Sequence, residues 1–328
     1  MFIIRRPGRK LVANNFVADI GGTNIRLGQI VDGHVAQIKK YLCADFATLG
    51  DAIKQYFSEY PAIEFNAGCL AIACPVSGDL VKMTNHTWVF STSALQSELG
   101  LQWLGVINDF TAVAHSLPKL SADQKVQIGP GQAEPTANIA VFGPGTGLGV
   151  KHLTHIDQGW QSLDGEGGHV DFAAVDENDI AILRFLTAKF GHASAEEVMS
   201  GRGIVHIYAA RAAHKKRPVE FDNAADITSH ALDNSCELCG ATLAQFCRIM
   251  GSFAGNLALN LCTRGGVYIG GGIASRFVDY LKQSEFRQRF EAKGRFHDYV
   301  TTIPTYIITE PDHGLIGAMA YLEQHYKG

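Results

Sequence analysis

A chain of 328 residues that is 46% hydrophobic can bury a sizeable core, and its length predicts two domains of roughly 100 to 200 residues each. A net charge of −4 gives no basic field, which excludes polyanionic partners such as nucleic acid or an anionic membrane surface. The seven cysteines are an odd number scattered mostly inside apolar runs, as in a cytosolic protein, and no apolar run approaches the roughly 18 residues that span a bilayer.

Residues 1–15, MFIIRRPGRKLVANN, carry Arg5, Arg6, Arg9 and Lys10. They lack the long apolar core and small-residue cleavage site of a secretion signal and read as a short basic extension. FVADIGGTNIRLGQ follows, two apolar runs around Gly21 and Gly22, which is an ordinary signal for a hairpin. Asp51–Tyr60 is a plausible helix, and residues 67–74 and 103–107 are short strands. In LGVINDFTAVAHSL a strand ends at Ile107 and a helix carrying Phe110, Val113, Ala114 and Leu117 begins at once. Asp109 there has the ordinary job of a helix cap.

No low-complexity linker marks the domain boundary, which falls softly near Leu117–Gln124. IAVFGPGTGLGVKHL, residues 139–153, then repeats the strand, glycine turn and strand of the opening, as expected of two similar α/β domains. Residues 177–190 set Ile180, Leu183, Leu186 and Phe190 near one helix face and stop at Gly191. Ser194 and Glu197 have the spacing of a capping box, which leaves the neighbouring Glu196 free. Residues 241–261 form a long core helix striped by Leu243, Phe246, Met250, Phe253, Leu257 and Leu261. VYI at 267–269 and TYIIT at 305–309 are strands, and GLIGAMAYLEQHY closes the chain as a helix.

Several familiar sites are excluded. No Gly-Lys dipeptide supplies a P-loop lysine, and GPGTGLG lacks the sixth-position glycine of the dinucleotide fingerprint. His-Glu-x-x-His and Gly-x-Ser-x-Gly are absent, and Cys236 and Cys239 form a lone C-x-x-C. The two glycine turns can instead expose backbone N–H groups to a polyphosphate, with Thr23, Asn24 and Thr146 adding side-chain donors. Asp19 at the mouth of the first turn is placed to hold the Mg2+ that accompanies ATP, through water. Gly270, Gly271 and Gly272 would let a purine lie on bare backbone, or simply make a close strand-to-helix turn.

The order DIGGTN, a proline-containing loop, INDF, GPGTGLG, GEGGH and GGG resembles the bacterial glucokinases of the hexokinase and actin-like ATPase superfamily, from Phe16 to the final helix. GHVDFAAVDEND has no C-x-C-G cluster, so the resemblance is to the zinc-free branch rather than to repressor-related sugar kinases. It implies an α/β, two-domain actin-like ATPase (hexokinase-type, ribonuclease H-like) fold with ATP and sugar in an interdomain cleft. The expected domains are residues 1–119 plus 311–328 (small) and 120–310 (large). It further implies phosphorylation of D-glucose at O6 by ATP with Mg2+, in the cytoplasm, by a homodimer.

By the same resemblance Asp109 is the base that takes the hydroxyl proton, and Asn108, Glu166, His169 and Glu196 bind the sugar. Asp19, Gly21, Gly22, Thr23 and Asn24, with Gly145, Thr146, Gly147 and Gly271, hold the nucleotide. The loop carrying Pro75, Gly78 and Asn85 is placed beside the sugar, or is a plain surface hairpin. Two rivals remain: a sugar-sensing repressor, for which about fifteen residues before the first strand are too few for a helix-turn-helix, and a sugar-independent ATPase.

Overall fold

Each glycine turn read in the sequence is the bend of an antiparallel hairpin, and each hairpin continues into a mixed sheet. The structure is a computed structural model that describes residues 12–84, 86–157 and 159–327; the basic residues from Arg5 to Lys10, and Asn85, lie outside them. The chain divides into two units, residues 1–119 with 311–328 and residues 120–310. Among the described residues no helix is long and apolar enough to cross a membrane.

The first unit runs β1 (Val12–Ile20), β2 (Asn24–Val31), β3 (His34–Leu42), α1 (Leu49–Ser58), β4 (Ile63–Ile72), β5 (Leu80–Lys82), β6 (Val89–Ser91), α2 (Thr92–Glu98), β7 (Trp103–Asn108) and α3 (Asp109–Ser116). Its five-stranded sheet has the order β3-β2-β1-β4-β7, with β1, β4 and β7 parallel and the first three strands antiparallel. α1 starts two residues earlier than the expected Asp51 because Thr48 caps it in a reciprocal box with Asp51. β5 and β6 pair as a small hairpin, and Pro75 and Gly78, the latter at φ +77°, lie in the segment that leads from β4 into it.

The second unit runs β8 (Lys125–Ile128), β9 (Ile139–Pro144), β10 (Leu148–Ile156), β11 (Gly159–Leu163), α4 (Glu177–Phe190), α5 (Gly201–His214), α6 (Ala224–Leu232), α7 (Glu237–Asn260), β12 (Val267–Ile269), α8 (Val278–Gln283), α9 (Phe286–Glu291), α10 (His297–Thr301) and β13 (Thr305–Ile308). In its sheet, β11-β10-β9-β12-β13-β8, the first five positions repeat the first unit's order and directions: an antiparallel triplet, then two parallel additions. The core stripe of α7 is buried from Leu243 to Leu257, but Leu261 falls beyond the helix, and Cys236 begins it early by accepting from the Cys239 N–H. On α4 the buried residues are Asp179, Ile182 and Leu186, not the expected Phe190, which is exposed at the last position before Gly191. Asp179 is buried because Arg289 and Gln245 both bond its carboxylate.

The chain returns to the first unit as α11 (His313–His325), which packs with α3 against one face of β1, β4 and β7 around Val17, Cys69, Ile107, Leu315 and Met319. α3 and α11 approach so closely that a Cβ on Gly317 would lie 1.7 Å from the Ala112 carbonyl oxygen. Gly317→Ala is therefore expected to destabilise by roughly 1–3 kcal/mol. Gly240→Ala in α7, where the new methyl meets nothing within 4 Å, should stabilise by about 0.4–1 kcal/mol. Thermal melts of the two variants should move in opposite directions.

Candidate active site

In the first unit the carboxyl ends of the parallel strands are level, since Ile20 pairs with Ile72 and Ile72 with Asn108. The Gly21–Thr23 turn, the loop after β4 and the start of α3 therefore open on one edge, where ligands of open α/β sheets bind. Asn108, not Asp109, is the helix cap: its Oδ1 accepts from the N–H groups of Phe110 (3.0 Å) and Thr111 (3.3 Å). The strand register puts Asn108 in the extended conformation that a cap needs, and Asp109 falls at the first helical position. The Asn108 amide also donates to the Cys74 carbonyl (3.2 Å) and to Asp109 Oδ1 (2.9 Å).

Asp109 is half-buried, and its pKa is pushed up from 3.8 to about 6. Burial is the main cause; the Phe110 N–H on Oδ1 opposes it, and the negative charge of Asp19 adds to it. Oδ1 takes both bonds, from the Asn108 amide and the Phe110 N–H. A carboxyl with a pKa near 6 is able to take up a proton close to neutral pH.

Asp19 and Arg26 face each other across the hairpin in direct register, and Arg26 Nη2 donates to Asp19 Oδ2 at 2.5 Å. Arg26 Nη1 also reaches the Pro311 carbonyl (2.9 Å) and Asp312 (3.0 Å). Neither Arg26 nor Asp312 was singled out from the sequence; the hairpin register alone would have found the first. Asp19 Oδ1 is not used by Arg26, and no cluster of three or more metal-binding side chains exists among the described residues. One carboxylate fits Mg2+ that arrives on a nucleotide and keeps phosphate and water ligands, rather than a resident metal. Thr23 is exposed, and Gly21, Gly22 and Asn24 are half-buried on the turn.

In the second unit the turn of Gly145, Thr146 and Gly147 is closed by the Gly145 N–H on the Gly147 carbonyl (2.9 Å), with Thr146 exposed. Glu196 is not free as expected. Its Oε2 accepts from the Leu148 N–H (2.8 Å), directly after the turn, and its Oε1 from Arg202 (2.5 Å). The capping box does not form either: residues 195–197 are a single 3-10 turn, the Ser194 side chain caps nothing, and Glu197 turns to Arg202 (3.1 Å) and His206 (3.0 Å). Arg202 is a further residue that the sequence reading missed.

Glu166 precedes another 3-10 turn, Gly167–His169, and both Glu166 and His169 are exposed. This loop lies backbone to backbone on β10, since a Cβ on Gly168 would be 2.1 Å from the Leu148 carbonyl oxygen. Gly271 has φ +80°, and its Cβ position is 2.5 Å from the Pro144 carbonyl oxygen, so close turn packing accounts for that glycine. Gly272 is the member of the cluster with open space before it. The predicted residues thus gather as two sets: Asp19 to Asn24 with Asn108 and Asp109, and Gly145 to Gly147 with Glu166, His169, Glu196 and Gly271.

The family model described as "Glucokinase" matches residues 16–325. The chain belongs to the glucokinase family. A glucokinase of Yersinia pestis is 52% identical over 310 residues, spanning 94% of this chain and 96% of that protein. The crystal structure of a glucokinase from an Antarctic psychrotroph matches with a TM-score of 0.90 at 40% identity, over 94% of this chain and 98% of that one. A glucokinase of Balamuthia mandrillaris, solved with glucose, shares the fold at 22% identity with a TM-score of 0.78, over 94% of this chain and 92% of that one.

The raised pKa of Asp109 has a consequence for stability in this glucokinase-family chain. A carboxyl that holds its proton more tightly when folded stabilises the fold fully below its ordinary 3.8, and that contribution is lost as pH rises through about 6. Above that window the charged Asp109 is a net cost, so Asp109→Asn should stabilise by about 1–3 kcal/mol at pH 7.5. Urea titrations should show the gain at pH 7.5 and its disappearance near pH 4.

Proposed function

We propose that the protein transfers the γ-phosphoryl group of MgATP to O6 of D-glucose, giving glucose 6-phosphate and ADP. Family membership over residues 16–325 supports the reaction, and the burial-raised pKa of Asp109 is the observation that supports its chemistry. In this reading Asp109 accepts the O6 proton, O6 forms the new bond to phosphorus, and the bond from that phosphorus to the ADP oxygen breaks. Phosphoryl transfer depends chiefly on positioning and charge neutralisation, and a general base contributes roughly 10²- to 10⁴-fold.

Asn108 is suited to a double role, because its Oδ1 caps α3 while its amide orients Asp109 and can also meet a sugar hydroxyl. Glu166, His169 and Glu196 supply further acceptors and donors for hydroxyl groups. The two glycine turns hold the phosphates, Asp19 holds the Mg2+ that neutralises them, through water, and the 270–272 cluster receives adenosine. We assign the duplicated sheet order to the actin-like, ribonuclease H-like class, with the reaction in the cleft between its two domains; the domains are residues 1–119 with 311–328 and residues 120–310. A cytoplasmic homodimer belongs to the same reading.

A coupled assay with ATP and a panel of hexoses tests the function: ADP release that requires glucose supports the kinase. Release without sugar would point to an ATPase, and no release to a sugar-sensing regulator. Asp109→Asn should lower kcat by about 10²-fold or more with the KM for glucose nearly unchanged. A variant keeping more than roughly a third of wild-type kcat would remove Asp109 as the base.

A further inference from the structure

The phosphate turn of the second unit is held at both ends by one segment, residues 196–201. At the front, the Gly201 N–H, the first of α5, donates to the Gly145 carbonyl at 2.8 Å. At the back, the Glu196 carboxylate accepts the Leu148 N–H at 2.8 Å. The Glu196 carboxylate lies against Gly147, where a Cβ would be 2.6 Å from Oε2. Between these anchors the chain is braced by Ser200, whose hydroxyl donates to the Glu196 carbonyl at 2.8 Å.

The same segment is bonded to the loop that carries Glu166 and His169. Ala195 donates its N–H to the Val170 carbonyl at 2.8 Å, and Ser194 bridges Asp171. The glycine loop of Gly167 and Gly168 in turn rests on Val150 and Leu148 of β10. Glu196 is therefore the side chain shared by the acceptor residues and the phosphate turn. Leu148 N–H bonds Oε2 and Arg202 bonds Oε1, and a carboxylate oxygen so bonded can accept from a ligand hydroxyl through its second lone pair. Arg202, half-exposed itself, fixes the other end of the carboxylate and is tied to Glu197 at 3.1 Å.

We propose that Glu196 couples hexose binding to the position of the phosphate turn, and that Arg202 is the positioning residue that sets the strength of this coupling. The inference rests on the sugar-kinase reading above. A hydroxyl that bonds Glu196 acts on a carboxylate already bonded to Leu148, so a shift at one ligand is felt at the other. Linkage then requires the effect to be reciprocal: nucleotide tightens hexose by the same factor by which hexose tightens nucleotide.

The test is a calorimetric cycle on the intact protein. Glucose affinity is measured alone and with a saturating non-hydrolysable ATP analogue plus Mg2+, and analogue affinity with and without glucose. The wild type should show a coupling factor of roughly 5-fold or more, equal in both directions. Arg202→Met should reduce it to about 2-fold or less while analogue affinity in the absence of sugar changes by less than about 3-fold. Arg202→Lys, which keeps the charge, should recover part of the coupling. Unchanged melting temperatures would show both variants folded.

Full coupling in Arg202→Met would overturn the role of Arg202, and a wild-type factor of one with active phosphorylation would overturn the coupling itself. Failure of the wild type to bind either ligand, or to release ADP in response to glucose, would instead overturn the sugar-kinase reading.

Discussion

The partly desolvated carboxylate of Asp109, at the edge of the first sheet, governs the chemistry proposed for this site. β7 is parallel to β4 and ends level with it, and α3 starts without a linker, so the residue after the cap is held at the edge of the sheet in partial burial. Burial alone would raise its pKa further; the Phe110 N–H and the Asn108 amide limit the rise to about 6. The negative charge of Asp19 acts in the other direction, and Arg26 lies between Asp19 and the segment that leads into α11. In the proposed reading, a half-buried acid that costs stability at neutral pH is retained for its chemistry.

The second unit uses the same backbone device for a different purpose. Its glycine turn, its Glu166–His169 loop and its 270–272 cluster meet at main-chain contacts where side chains would not fit. Close backbone approach accounts for Gly168 and Gly271 without any ligand, and leaves Gly272 as the bare surface. Rigid main-chain packing of this kind is also what permits one carboxylate, Glu196, to touch both the turn and the segment beside it.

Much of this was legible in the sequence because it rests on local signals. Both hairpins, the strand before Asp109, the long α7 and the closing helix follow from glycine placement and apolar period, and the motif order resembles the family whose model matches the chain. What was not legible depends on tertiary partners. Asp179 is buried against Arg289, a partner over 100 residues away in sequence, so its place on the buried face of α4 has no local signal. Glu196 looked free because its partners, a backbone N–H at 148 and the Arg202 guanidinium, carry no pattern that spacing reveals. The cap fell on Asn108 rather than Asp109 because either residue type suits that place and only the strand register decides between them.

In the proposed reaction Asp109 must lose its proton, at a pKa raised by burial, before phosphoryl transfer can proceed. The most direct measurement is the pH dependence of kcat/KM for glucose at saturating MgATP. A limb falling tenfold per pH unit below an apparent pKa close to 6 is expected. A rate that stays flat down to about pH 5 would contradict it.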